Sequence, residues 1–372
     1  MYTIGLLILE NAGIMGEQIL NDITVEELID LKKVIPVDVR SPEEYLEGAI
    51  PGSINIPLFN DIERKEIGTL YKQVGQDAAK WRAMEIVAPK IPILLNQIKE
   101  INAGEIPPVL YCWRGGMRSK SVATFLEFAG ITVNRLHGGY KAYRDYTQEK
   151  IPSMIPEKAI VLHGMTGVGK TEVLIKLKDK GYPILDLESL AAHRGSIFGA
   201  IGKNQGHNQK TFDSLLHSAL LDLKDSPFFI IEAESKRIGK VTQPEELLEK
   251  KINGFHFLIT SSITTRVNRI YEEYVQPNYL TEGFHEKILD KLSIILKRIK
   301  DHSIKKVLNE ELEKHNYRNL IKVLLESYYD PRYLHKQMDY NGEFVSVNTD
   351  NQDEAVNQIV AKIDLLYPKV YL

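Results

Sequence analysis

A cysteine stands at the end of a predicted strand, in a segment that also holds two glycines and two arginines. The segment reads Cys112-Trp-Arg-Gly-Gly-Met-Arg118 and precedes a helical pattern. Loop N–H groups, the N-terminus of a helix and an arginine all favour a bound anion. The same positive environment favours the nucleophilic thiolate form of a cysteine, although a lone cysteine can also be a small buried side chain. The predicted catalytic residues are Cys112, Arg114 and Arg118, supported by Trp113, Gly115 and Gly116.

A second segment has the pattern of a phosphate-binding loop. Gly164-Met-Thr-Gly-Val-Gly-Lys-Thr171 matches G-x-x-x-x-G-K-[ST], follows an apolar strand pattern and opens a helical one. In such a loop the N–H groups surround a diphosphate, the lysine neutralises the terminal phosphate, and the hydroxyl binds Mg²⁺. The predicted phosphate-binding residues are Gly164, Thr166, Gly167, Gly169, Lys170 and Thr171.

Further charged residues are candidates for the same site. Glu232 follows an apolar strand pattern, where a second Mg²⁺ ligand is expected beside Thr171. The segment 186–196 could transfer protons or bind phosphate, or its residues could cap a helix. Two arginines spaced i, i+3 could reach phosphates or face solvent. These candidates are Asp186, Glu188, His193 and Arg194 in the segment, and Arg266 and Arg269.

Alternating strand and helix patterns must position these residues. In the first half, strands are predicted at 34–39, 108–112 and 133–136, a helix start at Ser41-Pro-Glu-Glu44, and helices at 77–101, 119–128 and 140–146. In the second half, strands are predicted at 159–163, 183–185, 228–231, 255–259 and 344–347, with a helix at 354–366. This alternation predicts an α/β protein with parallel sheets.

The boundaries between domains follow from changes in these patterns. A segment with two prolines, 151–156, is predicted to be a linker. From about residue 282 the pattern is helical, with Ile288, Leu292, Ile295 and Ile299 on one face. The predicted domains are 20–150, 157–275 for the core that contains the phosphate loop, and 276–372 for a mostly helical part that continues it.

Composition excludes several classes of protein. The chain has 372 residues, enough for two or three domains, and its 47 basic and 50 acidic side chains give a net charge of −3. A near-neutral chain does not hold nucleic acid by bulk charge alone, and no DNA partner is expected. A single cysteine indicates a reducing, cytoplasmic location, and no apolar run approaches the length of a membrane span.

The first half resembles a rhodanese domain over residues 20–150. The segments that carry the resemblance are 38–40, 41–45, 48–57, the cysteine loop and 136–143. Most rhodanese sulfurtransferases have a six-residue active loop, whereas this loop spans seven residues and resembles that of rhodanese-fold phosphatases. The resemblance therefore favours a bulkier or phosphorylated donor over thiosulfate.

The whole chain resembles the tRNA 2-selenouridine synthase family, in which a rhodanese-like domain is followed by a P-loop NTPase-like domain with a helical C-terminal part. The segments that carry this resemblance are 111–119, 138–144, 164–171, 185–188, 192–196, 231–235 and 328–331. It implies that geranyl diphosphate and selenophosphate are co-substrates and that sulfur of the wobble 2-thiouridine is replaced by selenium through an S-geranyl intermediate. Cys112 would then serve selenation, and Lys170 with Thr171 would serve geranylation.

The same resemblance implies a tRNA, bound at its anticodon region, and an enzyme that supplies selenophosphate as partners. Trp113 could stack on a flipped-out base or pack within its loop. The basic stretch at 287–306, which includes Lys297, Arg298 and Lys300, could contact tRNA phosphates or be a solvated helix face.

Three other functions remain open from the residues alone. One is a rhodanese-type sulfurtransferase with an ATP-using P-loop domain. The second is a phosphatase or arsenate-reductase-like activity, which a seven-residue loop allows. The third is a nucleotide-gated binding module without chemistry.

Overall fold

A computed structural model describes residues 21–31, 33–101, 107–193, 206–334 and 340–368. Contacts within the chain divide it into two compact units, with the division between Lys150 and Ile151. Each unit contains a five-stranded sheet whose strands are all parallel. The predicted α/β class with parallel sheets is confirmed.

The first unit alternates strands and helices along the chain. In order, they are β1 (Asn21–Ile23), α1 (Val25–Asp30), β2 (Pro36–Asp38), α2 (Pro42–Leu46), β3 (Ile54–Asn55), α3 (Asp61–Gln73), α4 (Gln76–Val87), α5 (Ile91–Ile101), β4 (Val109–Tyr111), α6 (Met117–Phe128), β5 (Asn134–Leu136) and α7 (Gly139–Met154). The sheet order is β1-β5-β4-β2-β3, so β4 is the central strand. The cysteine loop leaves the carboxyl end of this strand, where open α/β sheets place their ligands.

One helix prediction in this unit and the linker prediction at its boundary are corrected. The helix predicted over 77–101 is interrupted by a 3₁₀ turn at Ala88–Lys90, between α4 and α5. Pro89 and Pro92 lack the N–H groups that a continuous helix needs, which accounts for the break. The segment predicted as a linker, 151–156, begins instead with the last turn of α7 and contains Pro152 within that helix.

Helix α3 was not predicted from the sequence, although its start carries a recognisable signal. Asn60 accepts a hydrogen bond from the N–H of Glu63, and Glu63 accepts one from the N–H of Asn60. This reciprocal pair is a capping box. The sequence of this helix is mostly polar and none of its residues is fully buried, so it lacks the continuous apolar face that predicts a core helix.

The second unit is organised around the phosphate loop. Its elements are β6 (Lys158–His163), α8 (Lys170–Asp179), β7 (Ile184–Leu185), α9 (Leu187–Leu190), α10 (Gln209–Asp222), β8 (Phe228–Glu232), β9 (Arg237–Ile238), β10 (Val241–Thr242), α11 (Glu245–Ile252), β11 (Phe255–Thr260), α12 (Ile263–Ile270), α13 (Phe284–Leu296), α14 (His302–Glu313), α15 (Tyr317–Leu324), α16 (Asp330–Leu334), β12 (Phe344–Asn348) and α17 (Gln352–Leu366). The sheet order is β12-β11-β6-β8-β7, with β6 central, so the phosphate loop also leaves a central strand.

The C-terminal part of this unit is helical, as predicted. Ile288, Leu292, Ile295 and Ile299 are buried together with side chains of α14 and α15. Strand β12 then returns to pair in parallel with β11. Two π-helical turns, Tyr271–Val275 and Leu325–Tyr329, follow α12 and α15. Such turns are frequent at functional sites.

The basic stretch at 287–306 is not one helix. Lys297, Arg298 and Lys300 lie in the exposed turn between α13 and α14. Within the described ranges, no helix has both the length and the apolarity that a membrane crossing requires.

Candidate functional site

The cysteine of the first unit lies directly after β4, at the base of its loop. Its Sγ is 3.3 Å from Oγ of Ser119, which is in the first turn of α6. Only 3% of the Cys112 surface is exposed. The sulfur lies at the base of the loop, and Cys112 belongs to the buried cluster of side chains in this unit. The nucleophilic role of Cys112 stays a prediction.

Glycines hold this loop against the start of α7. The N–H groups of Tyr140 and Lys141 donate to the carbonyls of Cys112 and Trp113, each at 2.9 Å. Gly139 has a φ of +60°, and a Cβ at this position would lie 2.3 Å from the carbonyl oxygen of Cys112. Only glycine allows this approach of two backbones. The contact fixes the carbonyls of the loop on the side of α7.

Arg118 is not directed at the thiol as a free cation. Its guanidinium donates two hydrogen bonds to Glu44, one of them at 3.0 Å. Burial favours the neutral form of this carboxyl, but the hydrogen bonds and charge of Arg118 outweigh it and hold the pKa of Glu44 below its usual value. Arg64 lies 3.5 Å from the same carboxylate. Arg118 is therefore a paired arginine at the edge of the loop. Its predicted part in binding an anion together with the loop N–H groups stays a prediction.

The other residues of the cysteine loop differ in exposure. Arg114 and Gly116 are exposed, whereas Trp113 and Gly115 are partly buried. The ring of Trp113 contacts Tyr140 at a centroid distance of 5.8 Å, which is the packing alternative for this residue. Beneath them, a buried Arg40 binds Asp38 and lies 4.1 Å from the ring centroid of Tyr140.

In the second unit, the carbonyl groups of the phosphate loop are bound by side chains. Nε of Arg266 donates to the carbonyl of Thr166 at 2.9 Å, and Arg269 donates to that of Val168 at 2.8 Å. The hydroxyl of Thr349 also donates to Val168, at 2.6 Å, and Nζ of Lys170 donates to Gly164 at 2.7 Å. Both arginines therefore anchor the loop, and Arg269 also lines the cavity beside it. A contact of either arginine with phosphate stays a prediction.

This anchoring sets the direction of the loop's N–H groups. In a trans peptide the carbonyl and the next N–H point to opposite sides. Arginines hold the carbonyls of Thr166 and Val168 on one side of the loop. The N–H groups of Gly167 and Gly169, which follow these carbonyls, therefore point to the other side, toward the cavity. Both glycines have positive φ, +80° and +90°. The loop thus presents an anion-binding concavity at the N-terminus of α8.

Arg266 is itself held by an acidic residue from the C-terminal part. Its guanidinium donates to both carboxylate oxygens of Asp330, at 2.9 and 2.6 Å. The side chains are 5% and 19% exposed, so this bidentate pair is largely removed from water. The N–H of Gly164 donates to the hydroxyl of Tyr333 at 2.6 Å. The helical C-terminal part therefore completes the loop.

Three glutamates lie beside the loop in the second unit. Carboxylate oxygens of Glu188, Glu232 and Glu234 are within 4.8 Å of one another, and the hydroxyl of Thr171 donates to Glu232 at 3.2 Å. Burial, supported by the neighbouring acids, raises the pKa of Glu232 to about 8. Lys170 opposes this effect, and its own pKa is raised by these acids despite burial. Hard oxygen donors of this kind fit Mg²⁺.

The other residues that the sequence predicted for this site differ in position. Glu188 and His193 line the same cavity of about 840 Å³ as the phosphate loop. Asp186 accepts a hydrogen bond from the N–H of Ser189 at 3.0 Å and so caps α9, as the structural alternative for this residue predicted. Arg194 lies outside the described residues.

Sequence reasoning did not single out four residues that contact or adjoin the loop. Glu234, Asp330 and Tyr333 lie in or beside segments of the resemblance, but no spacing in the sequence links them to residues so distant along the chain. Thr349 follows the last strand without any motif. The four residues are Glu234, Asp330, Tyr333 and Thr349.

Comparisons with known proteins cover both units. A family model described as the tRNA 2-selenouridine synthase AAA domain matches residues 157–364, and one described as the Rhodanese-like domain matches residues 23–146. These matches confirm the predicted combination of a rhodanese-like domain with a second parallel-sheet α/β domain.

Full-length relatives are similar over most of the chain. The tRNA 2-selenouridine synthase of Pseudomonas syringae pv. syringae (strain B728a) is 36% identical over 332 residues, which are 82% of this chain and 89% of that protein. The protein of the same name from Psychromonas ingrahamii is 33% identical over 348 residues, 85% of this chain and 93% of that protein. The solved N-terminal domain of an ATP/GTP binding protein from Clostridium difficile 630 is 41% identical, covers 34% of this chain and 98% of its own, and has a TM-score of 0.33.

The pair formed by Arg266 and Asp330 should be energetically coupled. We expect Arg266→Met to lower the free energy of unfolding by about 3 kcal/mol, because it leaves a partly buried carboxylate without its partner. Urea unfolding of the single variants and of Arg266→Met/Asp330→Asn measures the coupling. The double variant should lose less than the sum of the single variants; strictly additive losses would contradict the pair.

The raised pKa of Glu232 should make stability depend on pH. In the folded state the pKa of this carboxyl is about 8, so the proton is held up to that pH, while the unfolded state loses it near the usual glutamate pKa of 4.5. Stability without divalent cations should therefore fall as the pH rises between these values, and Glu232→Gln should remove this part of the fall. Thermal unfolding in a chelator, with the exposed Glu246→Gln as control, measures it. A difference between Glu232→Gln and wild type that does not grow from pH 5 to pH 8 would refute this assignment.

Proposed function

Because the chain belongs to the tRNA 2-selenouridine synthase family, we propose that it replaces the sulfur of 2-thiouridine at the wobble position of tRNA with selenium. We propose further that the reaction passes through S-geranyl-2-thiouridine, with geranyl diphosphate and selenophosphate as co-substrates. The observation that carries this proposal is the position of two loops with anion-binding sequence patterns, each at the carboxyl end of a central parallel strand. One loop contains a nucleophile and the other a lysine.

The phosphate loop of the second unit would serve geranylation. The thiocarbonyl sulfur of the base forms a bond to C1 of the geranyl group while the C1–O bond breaks, and the electron pair leaves with diphosphate. The base loses its N3 proton to solvent in the same step, which gives the neutral S-geranyl product. Negative charge thus grows on the diphosphate, where the N–H groups of Gly167 and Gly169 and the ammonium of Lys170 stabilise it. Thr171, Glu232 and the neighbouring glutamates would hold Mg²⁺, which would add positive charge on the leaving group.

The thiol loop of the first unit would serve selenation. Alkylated sulfur is a better leaving group than a thiocarbonyl sulfur, so attack of selenium on C2 would release geranylthiol. Cys112 would help to position selenophosphate beside the base. After selenium has bonded to C2 and geranylthiol has left, water would attack phosphorus and break the P–Se bond, which releases phosphate and leaves selenium on the base. The phosphate of selenophosphate would then be bound by the N–H groups at the start of α6 and by the exposed Arg114, because Arg118 is paired with Glu44.

The chain has a net charge of −3, so its overall charge does not attract tRNA. We propose that specificity comes from the flipped-out base and its substituents in the two loops, with phosphate contacts from local groups of basic residues. The exposed turn that contains Lys297, Arg298 and Lys300 is such a group. An enzyme that makes selenophosphate would supply the donor.

Separate loops for the two half-reactions should be separable by mutation. We expect Lys170→Ala to lower formation of S-geranyl-tRNA by about 100-fold or more, because the leaving group loses its main cation. Cys112→Ala should leave geranylation within a few-fold of wild type and abolish selenium incorporation. Anaerobic incubation with 2-thiouridine tRNA, geranyl diphosphate and selenophosphate, followed by nucleoside mass spectrometry, measures both products.

The matched control for the lysine is Lys178→Ala, an exposed residue of the same helix. It should leave both products unchanged. If Cys112→Ala abolished the geranyl adduct and left selenation intact, the assignment of the loops would be wrong. If wild type incorporated selenium with no geranyl adduct and no need of geranyl diphosphate, the intermediate itself would be wrong.

A further inference from the structure

The first unit contains an open cavity of about 960 Å³ that the proposed chemistry does not use. Met117, Arg118 and Ser121 line it, and all three belong to α6, the helix that begins where the thiol loop ends. The opposite lining comes from α3 and α4. The cavity therefore adjoins the reactive loop of the same unit.

Apolar side chains form much of this lining. They include Leu58, Phe59, Ile67, Ala83, Met84 and Phe125. The two methionines of the lining, Met84 and Met117, are 50% and 59% exposed. Large flexible side chains that remain in contact with water inside a concavity are typical of a surface that a ligand covers. The volume lies within the range of small-molecule sites, which are mostly apolar with a few polar groups.

Charged groups of the lining connect the cavity to the thiol loop. Glu44 accepts hydrogen bonds from Arg118 and lies 3.5 Å from Arg64, so these three side chains form one polar group at the loop. An apolar wall next to a polar group that contains two arginines suits a ligand with two different ends. One end is an aliphatic chain, and the other is a polar or anionic head that reacts beside Cys112.

We propose that this cavity binds the hydrocarbon chain of a thioether substrate while the base that carries it lies at the thiol loop. The identification of the chain as geranyl rests on the proposed function; the aliphatic character of the ligand rests on the cavity. Burial of the chain would hold the alkylated base at the thiol loop and give S-geranyl-tRNA an advantage over unmodified 2-thiouridine tRNA, because each buried CH₂ group adds binding free energy.

Binding of chemically synthesised anticodon stem-loops tests this proposal. Three RNAs differ only in the group on sulfur of 2-thiouridine, which is methyl, dimethylallyl or geranyl, and fluorescence anisotropy measures their affinity for the full-length protein. We expect affinity to rise with chain length, by about tenfold or more from methyl to geranyl.

Two variants should flatten this rise. Ile67→Gln makes the wall polar, and Ser121→Phe fills the cavity beside the loop. Each has a matched control on the same helix outside the cavity: Ile62→Gln on α3, where Ile62 is 80% exposed, and Thr124→Phe on α6, where Thr124 is exposed. The controls should keep the chain-length dependence of wild type. Thermal unfolding establishes that all four variants are folded.

The outcomes separate this inference from the proposed function. A flat series in wild type, a rise that persists in both cavity variants, or an equal loss in the controls would overturn the inference. Because the RNAs are synthesised, their binding does not depend on whether the protein makes the geranyl adduct. A rise in affinity without enzymatic geranylation would leave the inference standing and refute the proposed intermediate, whereas geranylation with a flat series would do the reverse.

Discussion

The direction of the phosphate loop's carbonyl groups, which point away from the cavity toward buried side chains, is the constraint on which the second unit depends. A chain with more acidic than basic residues has no general attraction for phosphate, so the site must be built from locally oriented dipoles. Arg266, Arg269 and Thr349 bind those carbonyls, which leaves the opposite N–H groups for an anion. Distant elements are needed for this: α16 supplies Asp330, which holds Arg266, and β12 leads to Thr349.

The thiol loop uses the same principle with different parts. Its carbonyls are bound by N–H groups at the start of α7, and contact between backbones at Gly139 makes this arrangement tight. Arg118 of this loop, however, is paired with Glu44, so the loop is less positive than its sequence suggests. In the proposed reaction, a weaker fixed charge would suit a loop that binds a phosphorylated donor, releases its phosphate and admits a large base.

Local sequence patterns predicted both loops, the parallel sheets and the buried face of α13, because each depends on residues that are close in the chain. The partners of side chains were not predictable in this way. Arg118 could not be known to meet Glu44, nor Arg266 to meet Asp330, since only the fold brings those elements together. Helix α3 was missed because it is mostly polar and has no fully buried residue. The break before α5 was missed although Pro89 and Pro92 could have indicated it.

The most direct test of the central claim is the affinity of the phosphate loop for inorganic diphosphate in wild type and in Arg266→Lys. Lysine keeps the positive charge but cannot bind both Asp330 and the carbonyl of Thr166 as the arginine does. Isothermal titration calorimetry, with thermal unfolding to show that the variant is folded, should find affinity about tenfold lower in Arg266→Lys. Equal affinity of the two folded proteins would contradict the claim that anchored carbonyls prepare the loop for its ligand.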